Sequence, residues 1–77
     1  MNEFPTISKG IYRHTKKGHL YEVLGVALQT ETNEPLVIYR PLYKASEYEL
    51  FARPYAMFIE DVIIKGKIKQ RFEKKDN

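Results

Sequence analysis

Eighteen residues near the N-terminus, Gly10 to Ala27 (G-I-Y-R-H-T-K-K-G-H-L-Y-E-V-L-G-V-A), leave few folds open to this chain. Ile11–Thr15 and Leu20–Leu28 are rich in Tyr, Val, Leu and Ile, side chains that suit a half-buried pleated surface. Between them, Lys17-Gly18 supplies a residue that reaches positive φ without a Cβ clash, as a tight hairpin requires. A two-residue loop there sets Arg13 opposite Glu22, His14 opposite Tyr21 and Tyr12 opposite Val23. One opposite-charge pair and two aromatic pairs then fall in register, each contributing roughly 0.2–1 kcal/mol.

The remainder continues the pattern. Gln29–Pro35 (Q-T-E-T-N-E-P) is a polar connection, and Leu36–Tyr43 is a third strand. Pro41 cannot donate to a ladder, which places that strand at an edge or bends it at a bulge. Lys44–Glu47 is a turn and Tyr48–Arg53 a fourth strand. Arg53-Pro54-Tyr55-Ala56-Met57-Phe58 is too short for a free helix, and its proline favours a single helical turn. Ile59–Ile64 and Lys67–Phe72 flank Lys65-Gly66 as a last hairpin, with Ile63 opposite Ile68, Ile59 opposite Phe72 and Glu60 opposite Arg71. One face of that hairpin is then largely apolar. Lys67, Lys69 and Arg71 line the other at period two. The expectation is an all-β, small SH3-like barrel of five to six antiparallel strands with one short helical turn before the last hairpin. Residues 1–9 form an arm, with Phe4 or Ile7 tucked against the barrel, 10–73 a single domain, and 74–77 a tail.

Charge and composition narrow the function classes. Seventy-seven residues allow one domain at most. With no cysteine, disulfides, thiolate metal sites and Cys nucleophiles are excluded. The first eight residues lack a basic segment followed by an apolar one, so no signal peptide and a cytoplasmic location are expected. Residues 1–64 carry seven basic and eight acidic side chains, and residues 65–77 carry six and two, so the net +3 is a C-terminal patch. Such a patch attracts phosphates, or simply keeps an edge strand solvated.

His14 and His19 lack the carboxylate and cysteine company of a metal site, and no metal or cofactor is expected. No nucleophile elbow accompanies Thr30, Thr32 or Glu31, which argues against a catalytic triad. The remaining signal is basic residues interleaved with aromatics: Tyr12-Arg13-His14, Tyr39-Arg40 and Arg53-Pro54-Tyr55, with the Lys67, Lys69, Arg71 ladder. Rings stack on bases and guanidinium groups grip phosphate. The same tyrosines also suit half-buried sheet positions, with the body packed and the hydroxyl wet.

Three segments together carry a resemblance. G-I-Y-R-H-T-K-K-G-H-L-Y-E-V-L-G-V-A, T-E-T-N-E-P-L-V-I-Y-R-P-L-Y and R-P-Y-A-M-F-I-E-D-V resemble the small bacterial family catalogued as domain of unknown function sixteen-fifty-three. The match runs from about Gly10 to Phe72. Its pattern falls on Tyr12, His14, Tyr21, Glu31, Thr32, Tyr39, Arg53, Pro54, Met57 and Phe58. Where the family carries His-Ser-Glu-Thr, this chain reads Gln29-Thr30-Glu31-Thr32, and Phe51 stands where a Trp is common. The resemblance implies a bacterial β domain and no activity. Glu31 and Arg53 are expected to meet across the barrel mouth as an ion pair or around a ligand, and Met57 and Phe58 to plug the barrel end.

The leading reading is a binding module in which Tyr12, Arg13, His14, Tyr39, Arg40 and Arg53 contact nucleic acid or a ribonucleoprotein, helped by Lys67, Lys69 and Arg71. Peptide recognition through the same aromatic groove is the first alternative. A small-molecule site or weak enzyme around His14, Glu31 and Arg53 is the second.

Overall fold

Both Lys-Gly pairs turn the chain, but through loops of different length. A computed structural model describes residues 5–43 and 47–75. In chain order the elements are β1 (Gly10–His14), β2 (Leu20–Gln29), β3 (Glu34–Pro41), β4 (Phe51–Pro54), α1 (Tyr55–Phe58), β5 (Asp61–Ile64), β6 (Lys67–Gln70) and β7 (Phe72–Lys74). Five antiparallel strands in the order β4-β3-β2-β1-β7 curl into a half-barrel, and β5-β6 form a separate hairpin. The fold is thus all-β and barrel-like, as expected. No pairing joins β4 to β7 among the described residues, so hydrogen bonds do not close the barrel.

The first hairpin pairs Tyr12 with Tyr21 and Arg13 with Leu20, two residues away from the expected register. His14 is the cause. Its backbone oxygen accepts from the Gly18 amide at 2.7 Å and its amide donates to His19 O at 2.9 Å, enclosing a four-residue loop, Thr15–Gly18. The Lys17 amide then donates to His14 Nδ1 at 3.1 Å, a partner that a two-residue turn would not offer. Gly18 ends the loop at φ +80°. A slip of two residues leaves every side chain on its expected face, so the inward set survives although the pairs change. Glu22 is freed from Arg13 and meets Arg40 across β2–β3 at 2.6 Å, while Arg13 reaches Glu73 on β7 at 3.3 Å.

Between β2 and β3 the ladder shifts at Leu24, between Val23 and Gly25, and this bulge bends β2. The bulge therefore lies in β2 and not at Pro41. Strand β3 is central, yet Pro41 is its last residue, beyond the final β3–β4 pair Tyr39–Phe51, so its missing donor interrupts no β4 contact. Strand β4 begins at Phe51; Tyr48 and Leu50 of the expected strand are exposed. The turn expected at Lys44–Glu47 lies mostly outside the described residues, as do Phe4 and the end of the tail.

Packing explains the rest. Tyr12, Tyr21, Val23, Val37, Tyr39, Phe58 and Phe72 form the buried core, with Ile7, Tyr43, Phe51 and Tyr55 packed against it. Proline 54 precedes the expected helical turn, whose one buried residue, Phe58, is 1% exposed and stacks on Phe72 at 4.1 Å. Met57 does not share in the plug; it is 45% exposed.

The last hairpin keeps its expected register. Lys65 (φ 52°) and Gly66 (φ 78°) both adopt positive φ, a type I′ turn whose twist matches the strands. Ile63 faces Ile68 and Glu60 meets Arg71 at 2.7 Å. The pairing stops there. Phe72, expected opposite Ile59, instead pairs with His14 on β1, where its ring is almost fully buried. The apolar Ile63–Ile68 face therefore points to solvent rather than into the core.

Candidate functional site

The Phe72 ring organises the basic end of the half-barrel. Phe58 occupies one face of it, and the guanidinium carbon of Arg53 lies 5.5 Å above the ring centre, so Arg53 takes the other. His14 meets the ring edge-on at 4.9 Å. Tyr39 and Tyr21 approach at 5.7 and 5.8 Å, and the Tyr39 hydroxyl accepts from Arg53 Nε at 3.3 Å. Strand alternation explains the gathering. His14 on β1, Tyr21 on β2, Tyr39 on β3 and Phe72 on β7 all point inward, and Arg53 reaches over from edge strand β4.

His14 is the one buried polar residue among those described, 7% exposed. Burial lowers its basicity first, and Lys17, Arg53, Arg71 and His19 lower it further. Lys17, Arg53 and Arg71 are cationic. A ring that accepts at Nδ1 from the Lys17 amide carries its proton on Nε2 when neutral. Tyr21 is held protonated by burial and by donating its hydroxyl to Tyr43 at 3.4 Å, an effect that Arg53 partly offsets.

Cations at this end differ in their partners. Arg71 is half-buried and bonds Glu60, yet its Nε is buried with no hydrogen-bond partner. Arg53 has the Tyr39 hydroxyl and the Phe72 face; among the described residues no carboxylate pairs with it. A guanidinium with free N–H groups beside two further basic side chains is an arrangement suited to an anion with several oxygens. Exposed His19 lies 4.4 Å from the Tyr43 ring, which in turn meets Tyr21 edge-on at 5.6 Å.

Of the residues proposed from sequence, His14, Tyr39 and Arg53 come together here, and Arg71 adjoins them. Arg13 and Arg40 are exposed and paired with Glu73 and Glu22. Lys67 and Lys69 stand exposed on the separate hairpin. Glu31 is not in the group. It sits in the β2–β3 turn, bonded by Thr30 Oγ1 and with its amide on Gln29 Oε1. Ten residues of β2 separate that turn from the His14 loop, on the order of 30 Å of strand. The expected Glu31–Arg53 pair is thus absent. Tyr12 points toward a different place, with its hydroxyl on Ser8 O at 2.8 Å, and lines a cavity of about 210 Å³ shared with Ile7, Phe58, Phe72 and Lys74.

Sequence reasoning missed Tyr21, Tyr43, His19 and Phe72 as members of the site. The available signal was the chance of pairing first and last strands: Arg13 opposite Glu73 is an opposite-charge pair in the β1–β7 register. Among the described residues no three His, Asp or Glu side chains are grouped to hold a metal ion, and no helix is long and apolar enough to cross a membrane.

Comparison with known proteins gives a family and no activity. A family profile described as "Protein of unknown function (DUF1653)" matches residues 10–74. A crystal structure of a protein of that family from Bordetella bronchiseptica is similar, with 33% sequence identity and a TM-score of 0.81 over 87% of this chain and 85% of that one. No curated protein matches the sequence.

Proposed function

Since the chain belongs to the DUF1653 family, whose description assigns no activity, we propose from the site itself that it is a binding module for single-stranded nucleic acid, seating a phosphate against Arg53. The carrying observation is the half-buried Arg53 guanidinium, stacked on Phe72 with no carboxylate partner among the described residues. Its free N–H groups suit bidentate contact with phosphate oxygens. Neutral His14 offers an Nε2–H beside it, and Arg71 adds a second positive charge. The His19–Tyr43 pair at the rim supplies flat surfaces for an unstacked base. Arg13 and Arg40 contribute less to this reading, because Glu73 and Glu22 already neutralise them. Lys67 and Lys69 extend the positive field along the neighbouring hairpin.

Titration of the labelled domain with a short single-stranded RNA tests the proposal. Shifts are expected at His14, His19, Tyr43 and Arg53. With about three phosphates neutralised, affinity should fall about 20-fold between 50 and 200 mM salt. Arg53→Gln should weaken binding about tenfold and flatten the salt slope by about 0.7. An absence of shifts at low salt overturns the proposal. Shifts indifferent to salt also overturn it, and point to an apolar peptide instead.

A further inference from the structure

The β5–β6 hairpin leaves most of its apolar surface in solvent. Ile63 is 75% exposed and Ile68 72%, and they face each other across the two strands. No other strand is paired to either edge of this hairpin among the described residues.

Hydrogen-bond phase decides which backbone groups are free. A two-residue type I′ turn closes on a hydrogen-bonded pair, here Ile64–Lys67, and such pairs recur every second residue. Val62–Lys69 is then the next, and Glu60–Arg71 continues the series, with the Arg71 amide donating to Glu60 O at 3.0 Å. Asp61 and Ile63 fall between these pairs, so their N–H and C=O groups point away from β6 to the open edge.

The two edges are not equivalent. Strand β6 reads Lys67-Ile68-Lys69-Gln70, and lysines of this kind protect an edge from further pairing. Strand β5 reads Asp61-Val62-Ile63-Ile64, with no charge in its interior. Its flanking charges are opposite in sign, Asp61 at one end and Lys65 at the other.

We propose that two copies of this chain associate through β5, antiparallel, about a two-fold axis at Ile63. Ile63 then exchanges both backbone hydrogen bonds with its own copy, the phase that the free groups of Asp61 and Ile63 require. Asp61 of each chain falls opposite Lys65 of the other, giving two opposite-charge pairs. On one face the four strands carry Ile68, Ile63, Ile63 and Ile68 in a row, so that each Ile63 gains a lateral apolar neighbour in its own copy. On the other, Val62 meets Ile64. Both outer edges of the four-stranded sheet are β6, so its lysines stop growth at two copies. The interface is self-complementary, as two-fold pairing demands. With one four-residue strand from each chain, the pairing is expected to bury less than the roughly 1,200 Å² of a standard stable interface and to be transient.

Sedimentation equilibrium of the full chain from about 10 μM to about 1 mM tests this. The mean mass should rise toward that of two chains. Asp61→Lys and Lys65→Asp should each weaken self-association about tenfold, by setting like charges opposite one another. Mixed together, those two variants should associate with each other, since both charge pairs become opposite again. Unchanged amide shifts in β1–β3 check that each variant is folded. A mass that stays monomeric overturns the proposal. So does association unaffected by either variant, or a mixture no better than its components.

Discussion

Phe58 is where the fold can be tested hardest, because one short turn inserts a single ring into the core. The side chain is 1% exposed. It stacks on Phe72 at 4.1 Å and meets Tyr12 and Tyr39 edge-on at 5.7 and 5.2 Å. Burying a phenylalanine removes on the order of 150–200 Å² from water, about 4–5 kcal/mol at 25 cal/mol/Å². The range measured for Phe→Ala in protein cores, about 3–5 kcal/mol, agrees. A domain of this length is stable by about 4–12 kcal/mol, so Phe58→Ala should remove about a quarter or more of the total. Phe58→Leu keeps most of the volume and should cost about 1–2 kcal/mol. Urea unfolding followed by tyrosine fluorescence and circular dichroism measures both, with an unchanged slope against urea showing that the same surface is exposed. A loss below about 1 kcal/mol for Phe58→Ala would refute the account in which α1 seals the open side of the half-barrel.

Two further outcomes follow from particular groups. His14 has its folded-state pKa lowered from 6.5, so the unfolded chain takes up the proton first as pH falls. Its stabilising contribution is complete above pH 6.5 and is lost as pH falls through the folded-state value, at no more than about 1.4 kcal/mol per pH unit. His14→Phe should flatten stability between pH 6.5 and 5 in urea titrations; an unchanged profile would contradict the assignment. Gly66 sits at φ +78° with open space where a Cβ would be, so Gly66→Ala meets only backbone strain, about 1–2 kcal/mol. Since the hairpin stands apart from the five-stranded sheet, that cost should appear as about tenfold faster amide exchange at Ile64 and Lys67, with the β1–β3 amides unchanged.

Local chemistry was the legible part of this protein. The type I′ turn at Lys65-Gly66, the Ile63–Ile68 register and the helical turn after Pro54 all follow from residues close in sequence. The inward set of β1 and β2 was also readable, because a slip of two residues does not exchange faces. The loop length was not. It depends on a hydrogen bond from the Lys17 amide to the His14 ring, and turn propensity contains no such side-chain partner.

The site was legible in kind and not in membership. Aromatic and basic interleaving pointed to His14, Tyr39 and Arg53, which do converge. It also pointed to Arg13 and Arg40, and the family resemblance pointed to Glu31; these do not converge, because a one-residue offset turns a side chain to the other face and ten residues of strand carry Glu31 to the far end. By itself, then, the sequence determined an antiparallel all-β chain, the turn of its last hairpin, its inward alternation and the absence of thiol chemistry. Only the tertiary structure decided that Phe72 leaves the last hairpin for β1. That choice rests on a ring almost fully buried between Phe58 and Arg53, which outweighs continued pairing opposite Ile59. The same step gathers the basic cluster around Phe72 and strands Ile63 and Ile68 in solvent. Long-range burial set both, and nothing within either segment encodes it.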